Sequence, residues 1–165
     1  MVNKSSMTRT RRFWLMKSEP NVFSIDALRR AERQTTCWDG VRNYQARNFL
    51  RDDIKTGDGV LYYHSKVEPV GIAGEAVVVR DGYPDYTAFD PGDVHYDPKS
   101  DPQKPTWYMV DVKFVRACEA GITLKRLKSL SALRSMLVVQ RGQRLSVQPV
   151  TAVEWRVIIG LPEWG

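Results

Sequence analysis

Apolar residues in this chain come in short bursts rather than in long periodic runs. Phe13-Trp14-Leu15-Met16, followed by Lys17-Ser18-Glu19-Pro20, predicts a strand over 13–17 that ends at the proline. Ser24 ahead of Ile25–Arg33, with Asp26 in the first turn, predicts an N-capped helix. A second helix is expected from Val41 to about Arg51, with an apolar stripe of only Ala46, Phe49 and Leu50. After a turn at Lys55–Gly59, Val60–His64 and Val70–Arg80 predict two strands. The second holds Gly71 and Gly74, where a bulge or sharp bend is expected. Trp107–Ala117 alternates as a strand. Thr123–Leu130 and Ser131–Met136 predict short helices, and Leu145–Val150 is extended because Pro149 biases Gln148 away from helix. Thr151 then caps a last helix bearing Trp155, Ile158 and Ile159.

Strands separated by helices without regular βαβ alternation predict an α+β fold, or a small barrel with helices at its edges. The 165 residues suit one domain with a closed core. No apolar run approaches the roughly 18 residues of a membrane span. Cys37 and Cys118 make neither a disulfide framework nor a zinc site, which points to a reducing, cytoplasmic setting. The net charge is +6, but Lys4, Arg9, Arg11 and Arg12 supply four of those charges. Without them 21 basic residues face 19 acidic ones, so any polyanion binding must be local. Met1–Arg12 is therefore expected to be a disordered basic arm ahead of a single domain over 13–165.

One segment breaks the pattern. Asp81–Thr106 holds five of the nine prolines and six aspartates against two lysines. Its negative charge repels phosphates, so it is expected to flank a binding site rather than track a nucleic-acid backbone.

Candidate chemistry gathers around Trp38-Asp39-Gly40 and the polar residues that follow. Trp38, Trp107 and the Tyr62-Tyr63 pair lie at element ends or on strands that could border one cavity, where flat rings would stack on a base. Tyr62 and Tyr63 point to opposite faces of a strand, so one of them is core. Trp14 and Trp155 are assigned to the core. Asn43 is the expected base reader, with Asp39 able to accept from an exocyclic amine. Arg42 and Arg47 suit phosphates, or salt bridges to Asp39 or Asp52. In the Arg141-Gly-Gln-Arg144 turn the two arginines suit a phosphate backbone, while Ser146 and Gln148 either reach the site or pair with a barrel edge. Lys17 and Ser18, at the end of the first strand, offer an ammonium and a hydroxyl. Cys37 with His64 would be a nucleophile and base, against a free Cys and a satisfied strand His. No metal or cofactor set is expected.

Four motifs, WLMKSEP at Trp14–Pro20, WDGVRNYQARNFLR at Trp38–Arg51, YYHS at Tyr62–Ser65 and RLSVQPV at Arg144–Val150, resemble those of the EVE domain. They occur in family order and span Phe13 to about Gly160. The resemblance implies a PUA-like open β-barrel of about five to six strands with flanking short helices, akin to YTH and ASCH domains. It also implies a non-catalytic module that takes a modified, flipped-out base of DNA or RNA into an aromatic cage containing Trp38, with Lys17 and Ser18 beside it. The location would be cytoplasmic, or nuclear in a eukaryote. Two stacking faces would supply about 2–6 kcal/mol before the cost of association. On this reading Trp38→Ala abolishes binding and leaves the fold intact. The alternative is an ASCH-like hydrolase of modified nucleosides or RNA, with Lys17 and Glu75 as base and nucleophile.

Overall fold

The computed structural model describes residues 9–165. Its centre is a six-stranded mixed sheet in the order β2-β5-β4-β3-β1-β6. The strands are β1 (Phe13–Ser18), β2 (Thr35–Cys37), β3 (Gly59–His64), β4 (Gly71–Pro84), β5 (Tyr108–Thr123) and β6 (Val147–Val150). β1 and β3 pair in parallel and the remaining ladders are antiparallel. The sheet bends without closing, since β2 and β6 remain its two edges. The ladders slip in register between Tyr62 and Tyr63 of β3 and at four places along β4, the first between Ile72 and Gly74. That is the irregularity the two glycines predict. Gly74 is required there, because a Cβ would lie 2.6 Å from the Ile25 side chain.

Alternation along the central strands divides the apolar side chains between two cores. Trp14, Met16, Val60, Tyr62, Val78, Val110 and Val112 face one side and pack with Leu28 of α1 (Ile25–Arg30) and Ala46 of α2 (Tyr44–Asn48). Leu15, Leu61, Tyr63 and Ile72 face the other, under α3 (Leu124–Lys128) and α4 (Ala152–Ile159). Each fully buried large apolar side chain contributes about 1.5–3 kcal/mol, so both layers matter to stability. Trp14 and Trp155 are core, on opposite faces.

The helix starts follow local chemistry. Ser24, Thr123 and Thr151 accept main-chain N–H bonds at their N-termini, and Glu154 completes a capping box with Thr151. α2 is shorter than expected. Asn43 has extended dihedrals and caps it, so Val41 and Arg42 precede the helix, and Phe49–Asp53 follows as a π turn. β4 and β5 are longer than their periodicity suggests. Ser131–Leu133 and Leu137–Val139 are single 3-10 turns.

Of the expected arm, Met1–Thr8 lies outside the described residues. Arg9–Arg12 is docked rather than loose. Asp58, fully buried, accepts from the Arg9 guanidinium at 2.6 Å, the Arg12 N–H, the Trp14 indole and the Lys55 N–H. Burial alone would raise the pKa of Asp58; the bonds from Arg9, Lys55, Trp14 and Arg12 outweigh it and hold the carboxyl below its ordinary value. No helix is long and apolar enough to cross a membrane among the described residues.

Candidate nucleic-acid interface

Trp38 directly follows β2, and its N–H continues the ladder by donating to Val110 O at 2.7 Å. The indole is only 7% exposed and meets Tyr62 edge-on, so it belongs to the first core. A cavity of about 570 Å³ nevertheless opens beside it, within the roughly 300–1,000 Å³ usual for small-molecule sites. Trp38, Asp39, Tyr62, Lys17, Ser18, Arg42 and Ser146 all line this hollow, so half of the expected site residues converge on it. Val22, Phe23, Asp93, Val94 and His95 are among the other residues of its walls.

The floor is held by a shared acceptor. Ser18 Oγ and Tyr62 OH both donate to Phe23 O, at 2.7 and 2.6 Å. Burial pushes the Tyr62 phenol up to about 12, so it stays neutral and keeps donating. Lys17 anchors the wall through its N–H to Ser146 O at 2.8 Å. Its ammonium lies 5.8 Å from the Tyr63 ring centroid, and burial lowers its pKa.

Asp39 is one of the carboxylates that line the cavity, with Asp93 beside it. Burial raises its pKa, with Asp85 and Asp93 adding to the rise and His95 opposing it. His95 Nδ1 lies 3.9 Å from Asp39 Oδ2 and 3.3 Å from Asp93 Oδ1 without a well-aligned hydrogen bond to either. The imidazole rests on Gly40, whose φ of +77° suits glycine and where a Cβ would lie 2.5 Å from His95 Nε2.

The other expected contacts are placed elsewhere. Trp107 is 7% exposed and does not line the cavity; its indole donates to Asp97 Oδ2 at 2.7 Å and its ring stacks on Tyr44. Tyr63 points into the second core. Asn43 is exposed and uses Oδ1 to accept the Ala46 N–H at 3.0 Å, so the expected base reader is a helix cap. Gln148 is buried, with Nε2 donating to Leu145 O and Oε1 unpartnered. Arg47 donates to Thr106 O and Asn48 Oδ1.

Arg42 borders the cavity, but its guanidinium is spent on the protein. It donates to His95 O at 2.7 and 3.2 Å, Val41 O, Thr87 Oγ1 and buried Asp85 at 2.9 Å. The expected phosphate contact is thus a clamp on the acidic loop, and its carboxylate partner is Asp85 rather than Asp39 or Asp52. Burial alone would raise the Asp85 pKa, but bonds from Thr87, Gly40 and Arg42 lower it. Arg141 and Arg144 lie exposed on the turn before Ser146.

The acidic loop is built from local turns. Asp90, Asp93, Asp97 and Asp101 each accept the main-chain N–H two residues on. This brings Asp93, Val94 and His95 to the cavity, so one stretch of the loop lines it. The sequence reading passed over these three residues. The signal was the Asp-x-x spacing itself, which marks a string of such turns.

Neither of the two pairs weighed for hydrolysis is assembled at the cavity. Glu75 Oε1 accepts from Arg116 Nε at 3.2 Å and lies outside the cavity, so it makes no pair with Lys17 there. Cys37 Sγ contacts Tyr86 OH at 3.6 Å, and burial raises its pKa. His64 Nε2 is taken up by the Ile25 N–H.

This geometry can be set beside known proteins. The EVE domain family matches residues 12–161. Human thymocyte nuclear protein 1 is 46% identical over 167 residues, covering 91% of this chain and 73% of that protein. A Leishmania major protein of solved structure superposes with a TM-score of 0.85 at 47% identity, covering 91% of this chain and 93% of its own. The human THYN1 protein, solved in complex with 5-methylcytosine-containing DNA, superposes with a TM-score of 0.84 at 45% identity, covering 90% and 95%. A Zymomonas mobilis ASCH protein shares the fold alone, at 11% identity and a TM-score of 0.51. With the family matched across nearly its whole length, the chain belongs to the EVE domain family.

Proposed function

We propose that this protein is a non-catalytic module that binds DNA carrying a modified cytosine and takes the modified base, flipped from the stack, into the cavity beside Trp38. One observation carries the reading. A hollow of about 570 Å³ is walled by an indole, a neutral phenol and the half-buried Asp39 carboxylate, in a chain 45% identical to a protein solved with 5-methylcytosine-containing DNA. The ring gives stacking to any base, and Asp39 accepts from the exocyclic amine that cytosine presents.

Magnitudes set how the site must work. With Trp107 outside the cavity, the expected sandwich becomes one large stacking wall, worth about 1–3 kcal/mol. Most of the affinity must therefore come from phosphates. Arg141 and Arg144, exposed on the turn that leads to the cavity-lining Ser146, suit that role. Neither is in an ion pair among the described residues. Binding should accordingly weaken with salt.

Fluorescence anisotropy against matched DNA and RNA oligonucleotides, with cytosine or 5-methylcytosine at one position, tests the reading. Tighter binding of the methylated DNA is expected, weakened by Trp38→Phe and by Asp39→Asn. Equal affinity for methylated and unmethylated strands would overturn it.

A further inference from the structure

The most exposed large apolar side chains among the described residues are Val94, 93% exposed, and Val22, 72% exposed. Both lie on the lining of the Trp38 cavity, and they reach it from two different loops. Single exposed hydrophobics are ordinary on a protein surface. Two that exceed every other one in exposure, and that meet at the same cavity, are not scattered.

Neither loop is slack. Val22 follows the end of β1 in a turn closed by the N–H groups of Val22 and Phe23, both bonded to Glu19 O at 2.9 Å. Val94 sits between Asp93, whose Oδ1 accepts the His95 N–H at 2.8 Å, and His95, whose carbonyl is clamped by Arg42. The Asp93 N–H in turn donates to Asp90 O, and the Tyr96 N–H to Asp93 O. These bonds hold each valine outward, so little ordering is needed on contact. The surroundings of Val94 are acidic, which disfavours a phosphate and leaves an apolar surface as the fitting partner.

We infer that Val94, assisted by Val22, is an apolar wedge that enters the base stack of a duplex where the modified base has left it. Extruding a base from a duplex costs unstacking and unpairing energy and exposes the faces of the neighbouring pairs. Apolar side chains inserted at such a step cover those faces, a device used by proteins that kink or open DNA. This inference rests on the base-binding reading above and adds residues that touch the duplex rather than the flipped base.

The test compares one 5-methylcytosine oligonucleotide as duplex and as single strand, beside the unmethylated single strand, with 2-aminopurine next to the modified position reporting unstacking. Val94→Ser and Val22→Ser replace exposed side chains, so melting should be unchanged. The wedge predicts a loss of roughly tenfold in duplex affinity for Val94→Ser, a smaller loss for Val22→Ser, and a weaker 2-aminopurine rise with the duplex. Single-strand affinity should fall much less than duplex affinity, because no stack needs opening there. Equal losses on both substrates, or none on the duplex, would overturn the wedge while leaving the cavity intact. Wild-type protein that fails to prefer the methylated single strand would overturn the base-binding reading, and the wedge with it.

Discussion

The ring centroids of Trp38 and Tyr62 lie 5.3 Å apart with the planes crossed at 80°, so the edge of one ring addresses the face of the other. The indole is locked in place by this contact and also fills the core. Trp38→Ala therefore does more than remove a binding surface. We expect it to cost about 3–5 kcal/mol of stability, contrary to the sequence expectation of an intact fold. Trp38→Phe should keep a folded protein and lose part of the stacking, about 1–3 kcal/mol at most. Thermal melting beside anisotropy on 5-methylcytosine DNA separates the two effects.

Asp39 separates binding from stability. Its raised pKa means that its charged form is disfavoured in the folded protein. Asp39→Asn should leave melting unchanged or slightly higher at neutral pH, while weakening modified-cytosine binding by about 1–3 kcal/mol through loss of a carboxylate acceptor. A variant that bound normally would remove Asp39 from the site.

Arg42→Ala should unlock the acidic loop. It strips buried Asp85 of its cation and His95 O of its donors, and breaking such a pair costs about 3 kcal/mol. Hydrogen exchange should quicken across residues 85–97 well beyond any change in β4 or β5. Uniform protection across those segments would count against the clamp.

Acid should unfold the protein through Asp58 and Asp85. Both carboxyls titrate lower in the folded chain than the ordinary value of 3.8 expected when unfolded. Their stabilisation is complete above that value and disappears as pH falls through the lower folded values, because the unfolded chain then binds more protons. Melting temperature measured from pH 6 to pH 2 should drop steeply below about pH 4. Asp58→Asn should be less stable at pH 6 and show a shallower drop.

Replacing Arg141 and Arg144 together by alanine should leave melting unaltered, since both are exposed. If both meet phosphate, the slope of log affinity against log salt should shrink by about two, equally for methylated and unmethylated DNA. An unchanged slope would move the phosphate contacts elsewhere.

What the sequence made legible was what a few neighbouring residues decide. Ser24, Thr123 and Thr151 announce helix starts because a cap acts over three residues. Trp38 was legible as a wall because the motif around it is long. Trp107 was not, since its partner Asp97 reaches it only after the loop folds back, and a tryptophan at a strand start looks the same in either role. Asn43 and Arg42 carry groups suited to bases and phosphates, yet each is taken up by a nearer acceptor or donor. Asp58 was read as part of a turn. Its importance comes from Arg9, Arg12 and Trp14, more than forty positions earlier in the chain.

The imidazole of His95 occupies the space a side chain at position 40 would need. Shrinking the ring would clear that space but leave the φ of +77°, which a larger residue at 40 would still have to bear. Glycine should therefore persist at 40 whatever stands at 95, so this border of the cavity is fixed by the backbone before any side chain is chosen.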